Sequence, residues 1–180
     1  DGSIDSFNNF ENYFTTLNDD LIIGSSVADL VSSLAGDDIF IASQGIDQLD
    51  GGGDSDTIDY SSLSGATSIN VTLSESVLAT VFVTGGDNDQ VQNIENVIGT
   101  TGDDTLTGDT QDNNLQGNAG DDTLSGGDGD DKLNGGDGDD YLFGDGDNDT
   151  LVGGAGNDTL DGGDGDDLVY GGAGIDHISG

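Results

Sequence analysis

Aspartate recurs every nine residues through the C-terminal part of this chain. From residue 117 to residue 179 the sequence divides into seven units: GNAGDDTLS, GGDGDDKLN, GGDGDDYLF, GDGDNDTLV, GGAGNDTLD, GGDGDDLVY and GGAGIDHIS. Each unit opens on glycine and has an aliphatic residue at its eighth place. The sixth-place aspartates are Asp122, Asp131, Asp140, Asp149, Asp158, Asp167 and Asp176. A regular column of carboxylates is suited to binding cations.

The residue types favour calcium. Carboxylate and carbonyl oxygens are hard ligands, and without a histidine or cysteine column they select calcium or magnesium over transition metals. A large, flexible shell of carbonyls and carboxylates favours calcium. The EF-hand is excluded because its loop closes on a glutamate, whereas Glu11, Glu75 and Glu95 all lie outside the acidic repeats. We therefore expect several calcium ions.

The spacing predicts the elements that position these carboxylates. A six-residue turn and a three-residue strand make one unit, so two units complete a coil of about 18 residues with parallel strands and eighth-place side chains inside. Aspartates two units apart then share an edge. One edge carries Asp104, Asp122, Asp140, Asp158 and Asp176, and the other carries Asn113, Asp131, Asp149 and Asp167. Carboxylates about 5 Å apart repel by roughly 1 kcal/mol even in water. A divalent cation between them makes the electrostatic interaction favourable.

The glycines at places one, two and four predict turns that visit positive φ and bring carbonyl groups close together. As further metal-binding residues we expect Gly127, Gly129, Gly136, Gly138, Gly154, Gly156, Gly163 and Gly165. Two units depart from the pattern. GDTQDNNLQ, residues 108 to 116, lacks the aspartate and predicts a weak or empty site. GDGDNDTLV has two aspartates in place of glycines and predicts altered geometry.

The nine-residue register of the C-terminal units already begins at Gly99 with GTTGDDTLT. A degenerate form of the same register lies earlier in the chain. Residues 15 to 59 read TTLNDDLII, GSSVADLVS, SLAGDDIFI, ASQGIDQLD and GGGDSDTID. Sixth-place aspartates persist, and we expect metal binding at Asp20, Asp38 and Asp56. Most turn glycines are absent, so fewer ions are expected there.

Between these blocks, 39 residues separate Asp59 from Gly99, and 39 is not a multiple of nine. Period-two alternation at Ile69, Val71 and Leu73 predicts an inserted β-hairpin-like excursion. Residues 7–24 also match residues 91–108 at an offset of 84, which indicates a tandem array. We expect a degenerate block over 1–59, an excursion with a second lead-in segment over 60–98, and a calcium-binding block over 99–180.

Composition limits the function classes. Thirty-eight acidic residues against the single Lys132 give a net charge of -37, which disfavours nucleic acid and anionic membranes. There is no cysteine for disulfides or thiolate sites, and no apolar run long enough to insert into a membrane. No HExxH or GxSxG motif is present, so we expect a non-enzyme.

The units resemble the GGxGxDxUx nonapeptide of the repeats-in-toxin (RTX) family, closely over 99–179 and loosely over 15–59. The resemblance implies an all-β, right-handed parallel β-roll with calcium between successive turns, export through a type I channel and folding outside the cell. With the duplicated start, it suggests an adhesin-like segment of a large secreted or surface-attached protein, stacked on neighbouring repeats. Two alternatives remain: an accessory module of a secreted mannuronan epimerase, protease or lipase, and a module that binds a polysaccharide or cell-surface ligand through Tyr141, Phe143 and Tyr170.

Overall fold

The computed structural model describes residues 4–6, 13–15, 17–63, 67–75 and 77–180. Within these ranges the chain has no helix and forms twenty short strands. The strands are β1 (Ile4–Ser6), β2 (Tyr13–Phe14), β3 (Leu21–Ile23), β4 (Leu30–Ser32), β5 (Ile39–Ile41), β6 (Gln48–Asp50), β7 (Thr57–Asp59), β8 (Ser68–Thr72), β9 (Ala79–Thr84), β10 (Asp89–Gln92), β11 (Asn96–Ile98), β12 (Thr105–Thr107), β13 (Asn114–Ala119), β14 (Thr123–Gly127), β15 (Lys132–Asp137), β16 (Tyr141–Asp145), β17 (Thr150–Ala155), β18 (Thr159–Asp161), β19 (Leu168–Ala173) and β20 (His177–Ser179).

The strands stack into two facing sheets. One has nine strands in the order β1-β3-β5-β7-β11-β13-β15-β17-β19, and the other has eleven in the order β2-β4-β6-β10-β9-β8-β12-β14-β16-β18-β20. Within the regular parts, each strand pairs in parallel with the strand two units later, as Leu133 pairs with Leu151. The result is a β-solenoid of about nine coils with about 18 residues per coil, which confirms the predicted fold class.

The eighth-place side chains form the core. Leu124, Leu133, Leu142, Leu151 and Leu160 are at most 1% exposed. Burying one leucine side chain contributes about 2 kcal/mol, and most strands in the regular coils add only one such residue. The core is therefore one side chain deep on each sheet, so holding the turns together matters more here than in a globular domain.

The excursion lies inside the stack. β10 pairs in parallel with β6, β9 runs antiparallel to both β10 and β8, and β8 pairs in parallel with β12. Ile69, Val71, Val81, Val83 and Val91 are buried in the common core. Their alternation puts one apolar face on the core, so the insertion widens one sheet without interrupting the solenoid.

In the C-terminal block several strands are longer than the three residues expected. β13, β15, β17 and β19 each span six residues, because the backbone at places two and three also pairs with the next coil. Asn118 pairs with Gly136, and Gly136 pairs with Gly154. The glycine turns are thus part of the ladder, and their carbonyl groups are stacked.

Candidate metal centre

The sixth-place aspartates connect successive coils. Oδ1 of Asp122 accepts a hydrogen bond from the backbone N–H of Asp104 at 2.7 Å, and Oδ1 of Asp140 accepts one from Asp122 at 2.8 Å. On the other edge, Asp149 Oδ1 accepts from the Asp131 N–H at 2.8 Å. The structure thus brings together the aspartates that the sequence places one coil apart. One oxygen of each carboxylate is used to hold the coil before it.

The second oxygen of many of these carboxylates is buried and accepts no hydrogen bond. These Oδ2 atoms belong to Asp38, Asp56, Asp122, Asp131, Asp140, Asp149 and Asp158. All seven residues are at most 2% exposed. A buried, ionised oxygen without a partner is costly unless a cation or donor compensates it. These atoms therefore mark positions where the fold lacks a positive partner.

Burial also shifts the pKa values of these groups. Loss of solvation raises the pKa of Asp122 and Asp131 to about 7 and that of Asp140 and Asp149 to about 6. The N–H from the neighbouring coil opposes each rise, and repulsion from nearby aspartates adds to it. The ionised column is thus unfavourable by itself and is relieved by either a proton or a metal ion.

The place-one glycines leave a space between coils. A Cβ on Gly117 would lie 2.1 Å from Asp122 Oδ2 and 2.8 Å from the Gly135 carbonyl oxygen. A Cβ on Gly144 would lie 2.3 Å from both Asp149 Oδ2 and the Gly162 carbonyl oxygen. Place one does not show the positive φ that the sequence predicted for it. Glycine is needed there because a side chain would fill the space beside the unpaired oxygen.

Positive φ occurs at places two and four, as predicted. It is found at Gly127, Gly129, Gly136, Gly138, Gly154, Gly156, Gly163 and Gly165, with values from 94° to 151°. Asp145 and Asp147, which replace glycines, reach φ of 74° and 69° and so preserve the turn. A Cβ on Gly154 would lie 2.1 Å from the Gly136 carbonyl oxygen of the coil before. Backbone oxygens of adjacent coils are therefore closely stacked.

The donor set fits calcium. Among the residues that the structure describes, no three side chains of aspartate, glutamate, histidine or cysteine converge on one point. An ion in the turns would therefore combine carboxylate oxygens with backbone carbonyl oxygens. Such a shell is all oxygen and rich in neutral ligands, which suits calcium. The buried Oδ2 atoms and the glycine spaces provide the charge and the room.

Some predicted ligands stand apart from this set. Asp104 accepts hydrogen bonds on both oxygens, from the N–H groups of Ile69 and Thr100, each at 2.6 Å. Asp20 is buried, and its N–H donates to Asp38 Oδ1 at 2.7 Å. Asp167 and Asp176 are only half-buried, in the last coils.

Two further acidic residues occupy sixth-place positions that sequence reasoning missed. Asp89 Oδ1 accepts from the Asp47 N–H at 3.0 Å, and Glu95 Oε2 accepts from the Asp56 N–H at 2.8 Å. A sequence signal was present: each acidic residue stands two places before a buried valine, Val91 or Val97. The carboxylate column therefore continues through the insertion where the nonapeptide register is lost.

A second polar ladder runs along the exposed fifth places. Asp103 Oδ1 accepts from the Asp121 N–H, and Asp121 Oδ1 accepts from the Asp139 N–H, each at 2.9 Å. It runs opposite to the buried ladder, because here the earlier coil accepts and the later coil donates. The nonapeptide pattern predicted no role for these residues, which form part of the DD and ND pairs in most units.

The predicted aromatic platform is not present as one surface. Tyr141 and Phe143 lie on β16 in the eleven-stranded sheet, whereas Tyr170 lies on β19 in the nine-stranded sheet. Side chains of these two sheets that point outward face away from each other. The expectation that the three rings act together was wrong, and Tyr141 and Phe143 alone remain as neighbours.

Comparison with known families decides the identity. The model described as RTX calcium-binding nonapeptide repeat (4 copies) matches residues 14–49, 32–62, 93–124, 107–142, 116–151 and 143–178, which together cover well over half of the chain. The chain belongs to the RTX family. The matched ranges include residues 14–59 of the degenerate block and residues 99–178 of the glycine-rich block of this RTX chain.

The solved structures that this RTX chain matches include the extracellular lipase LipA from Serratia marcescens, at 22% sequence identity and a TM-score of 0.38. The match covers 83% of the RTX chain and 30% of the lipase chain. No curated protein matches.

No helix in the described part of the RTX chain is long and apolar enough to cross a membrane.

Proposed function

We propose that this RTX chain is a non-catalytic calcium-binding module that folds when calcium enters the spaces between its coils. The buried, unpaired Oδ2 atoms of the sixth-place aspartates carry this proposal. Asp122, Asp131, Asp140, Asp149, Asp158, Asp167 and Asp176 would hold the ions of the C-terminal block together with carbonyl oxygens of the place-two and place-four glycines. Asp56 and Asp38 would do so in the degenerate block.

Calcium would supply the positive charge that the column lacks. In its absence each coil added to the stack buries another carboxylate beside its neighbours, and the single rank of leucines has to compensate that cost. In its presence the binding free energy is added to the folding free energy. Affinity per site is expected at about 10⁻⁴ to 10⁻³ M, the range of extracellular modules. Such affinities leave the chain unloaded in the cytosol.

The biological setting we propose follows from that range. A module that folds only at the calcium concentration found outside the cell suits a large secreted or surface-attached protein. In such a protein it stiffens the chain next to neighbouring repeats. The partners we propose are calcium and those repeats. A net charge of -37 argues against nucleic acid and anionic membranes as partners. An adhesin-like structural role is favoured by the duplicated segment at residues 7–24 and 91–108.

Far-UV circular dichroism during a calcium titration tests the proposal. In calcium-free buffer we expect a largely unfolded spectrum, and millimolar calcium should produce a β spectrum. Sodium chloride and magnesium chloride at matched ionic strength serve as controls, because screening alone reduces repulsion between the carboxylates. A β spectrum that is complete with chelator present, or equally produced by sodium, would contradict the proposal.

A further inference from the structure

Most turns of the solenoid adopt one of two conformations, which differ at places two and four of the nonapeptide. In one class, place two has a positive φ. This class includes three residues that carry a side chain, Leu34 at 73°, Asn118 at 82° and Asp145 at 74°. In the other class, Ser25, Thr100 and Asp109 occupy place two without a positive φ, and place four of these three turns has none either. The Ser43 turn belongs to neither class, because Ser43 at place two lacks a positive φ while Gly45 at place four has φ of 123°. We call the first class open turns and the second class closed turns.

A closed turn is held by two hydrogen bonds within its own loop. The place-two N–H donates to the place-six side chain: Ser25 to Asp29 Oδ2 at 2.9 Å, Thr100 to Asp104 Oδ2 at 2.6 Å and Asp109 to Asn113 Oδ1 at 2.8 Å. The place-two side-chain oxygen accepts from the place-four N–H: from Val27 at 3.3 Å, from Gly102 at 3.1 Å and from Gln111 at 3.0 Å. The same reciprocal pair thus occurs in three turns.

The conformation of each turn, open or closed, corresponds to whether Oδ2 of its place-six aspartate accepts a hydrogen bond. Every sixth-place aspartate with a buried, unpaired Oδ2 follows an open turn. The pairs of place-two and place-six residues are Leu34 with Asp38, Gly52 with Asp56, Asn118 with Asp122, Gly127 with Asp131, Gly136 with Asp140, Asp145 with Asp149, and Gly154 with Asp158. No residue of the three closed turns is in that set.

The two states exclude each other for an electrostatic reason. In a closed turn the place-two N–H points at the carboxylate oxygen, so the positive end of its dipole takes the lone pair that a cation would use. A metal ion at the same oxygen would meet the N–H head-on. At positive φ the place-two peptide is oriented differently and Oδ2 is left without a donor. The conformation at place two therefore determines what compensates the buried charge.

We propose that place two selects the calcium-binding turns of this RTX chain, and that Thr100 closes a site that would otherwise take an ion. This rests on the proposed function, since it specifies which turns bind. The Thr100 turn has the place-one space and the carboxylate of an open one: a Cβ on Gly99 would lie 2.3 Å from Asp104 Oδ2 and 2.9 Å from the Gly117 carbonyl oxygen. Each of the other two closed turns lacks one of these features. In the Ser25 turn, Ser43 Oγ fills the space beside Gly24, and in the Asp109 turn the place-six residue Asn113 has no charge.

Calcium stoichiometry in the whole chain tests the proposal. Thr100→Gly removes the hydroxyl and permits positive φ, and we expect it to bind one calcium ion more than wild type in equilibrium dialysis at saturating calcium. Thr100→Ser keeps the hydroxyl and should bind the wild-type number. The reverse change, Asn118→Thr, should close an open turn and bind at least one ion fewer.

The outcomes separate the two proposals. If wild type binds no calcium, the proposed function fails. If wild type binds calcium and Thr100→Gly has a β spectrum but the wild-type stoichiometry, the place-two proposal is wrong. If Thr100→Gly does not fold in calcium, Asn118→Thr decides: a wild-type number of ions in that variant overturns the proposal, and a lower number supports it.

Discussion

Asp140→Asn is expected to raise the calcium concentration at the folding midpoint about tenfold. Substitutions of residues around a bound metal commonly reduce metal affinity by roughly tenfold or more. The amide oxygen can still accept the Asp122 N–H that Asp140 Oδ1 accepts at 2.8 Å. The buried Oδ2, however, is replaced by an uncharged NH₂ group that repels a cation. The variant therefore removes the metal ligand while it keeps the bond between coils. A calcium titration followed by circular dichroism measures the shift.

Asp29→Asn is the matched control for Asp140→Asn. Asp29 is also a buried sixth-place aspartate, but its oxygens accept the N–H and the hydroxyl of Ser25 in a closed turn. Asn113 shows that the chain tolerates an amide at this place, since its Oδ1 accepts the Asp109 N–H and its Nδ2 donates to the Glu95 carbonyl. The calcium midpoint of Asp29→Asn should stay near that of wild type. Equal shifts in the two variants would mean that open and closed turns do not differ in calcium binding.

Acidification is expected to stabilise the calcium-free fold between pH 7 and pH 4. Burial raises the pKa of Asp47, Asp56, Asp122 and Asp131 to about 7, so the folded state binds more protons than the unfolded state below that pH. Where the folded state binds more protons, the free energy of unfolding increases as pH falls. This stability is lost again as pH rises through the folded pKa values. Far-UV circular dichroism in calcium-free buffer at several pH values measures it as a gain of β spectrum on acidification.

Calcium should reverse that pH dependence, because protons and calcium compete for the same carboxylates. The calcium midpoint for folding should increase as pH falls below 7. A variant with asparagine at 122, 131, 140 and 149 serves as the control, since it should show a smaller slope above pH 5.5, where the exposed carboxylates remain ionised. Calcium-free stability that decreases from pH 7 to pH 5 would contradict the pKa shifts and their assignment to burial.

The period of nine determined most of the fold in advance. Leucine or another apolar residue at place eight and aspartate at place six placed the core and both carboxylate columns correctly, because each depends only on the register within a unit. A hairpin-like excursion over residues 60–98 was predicted, but its incorporation into one sheet was not, since the pairing of β10 with β6 joins residues about 40 positions apart. Asp89 and Glu95 were missed for the same reason, although they follow the local rule of an acidic residue two places before a buried valine.

The difference between open and closed turns lies in backbone conformation, which composition specifies only in part. Glycine at place two predicted positive φ correctly, but Leu34, Asn118 and Asp145 adopt it as well, while Ser25 and Thr100 do not. Asp104 and Asp122 stand at equivalent places in similar units, GTTGDDTLT and GNAGDDTLS, yet one carboxylate is fully paired and the other has an unpaired oxygen. The two turns differ in the residue and the φ at place two, Thr100 against Asn118, and in the hydrogen bonds that follow from them.

The most direct test is the location of the ions in a crystal grown with calcium, measured at a long X-ray wavelength at which calcium scatters anomalously. Anomalous peaks are expected between coils, next to Oδ2 of Asp122, Asp131, Asp140 and Asp149. None is expected beside Asp104 or Asn113. Peaks found only at the exposed fifth-place carboxylates, or an absence of peaks between the coils of a calcium-saturated crystal, would contradict the account.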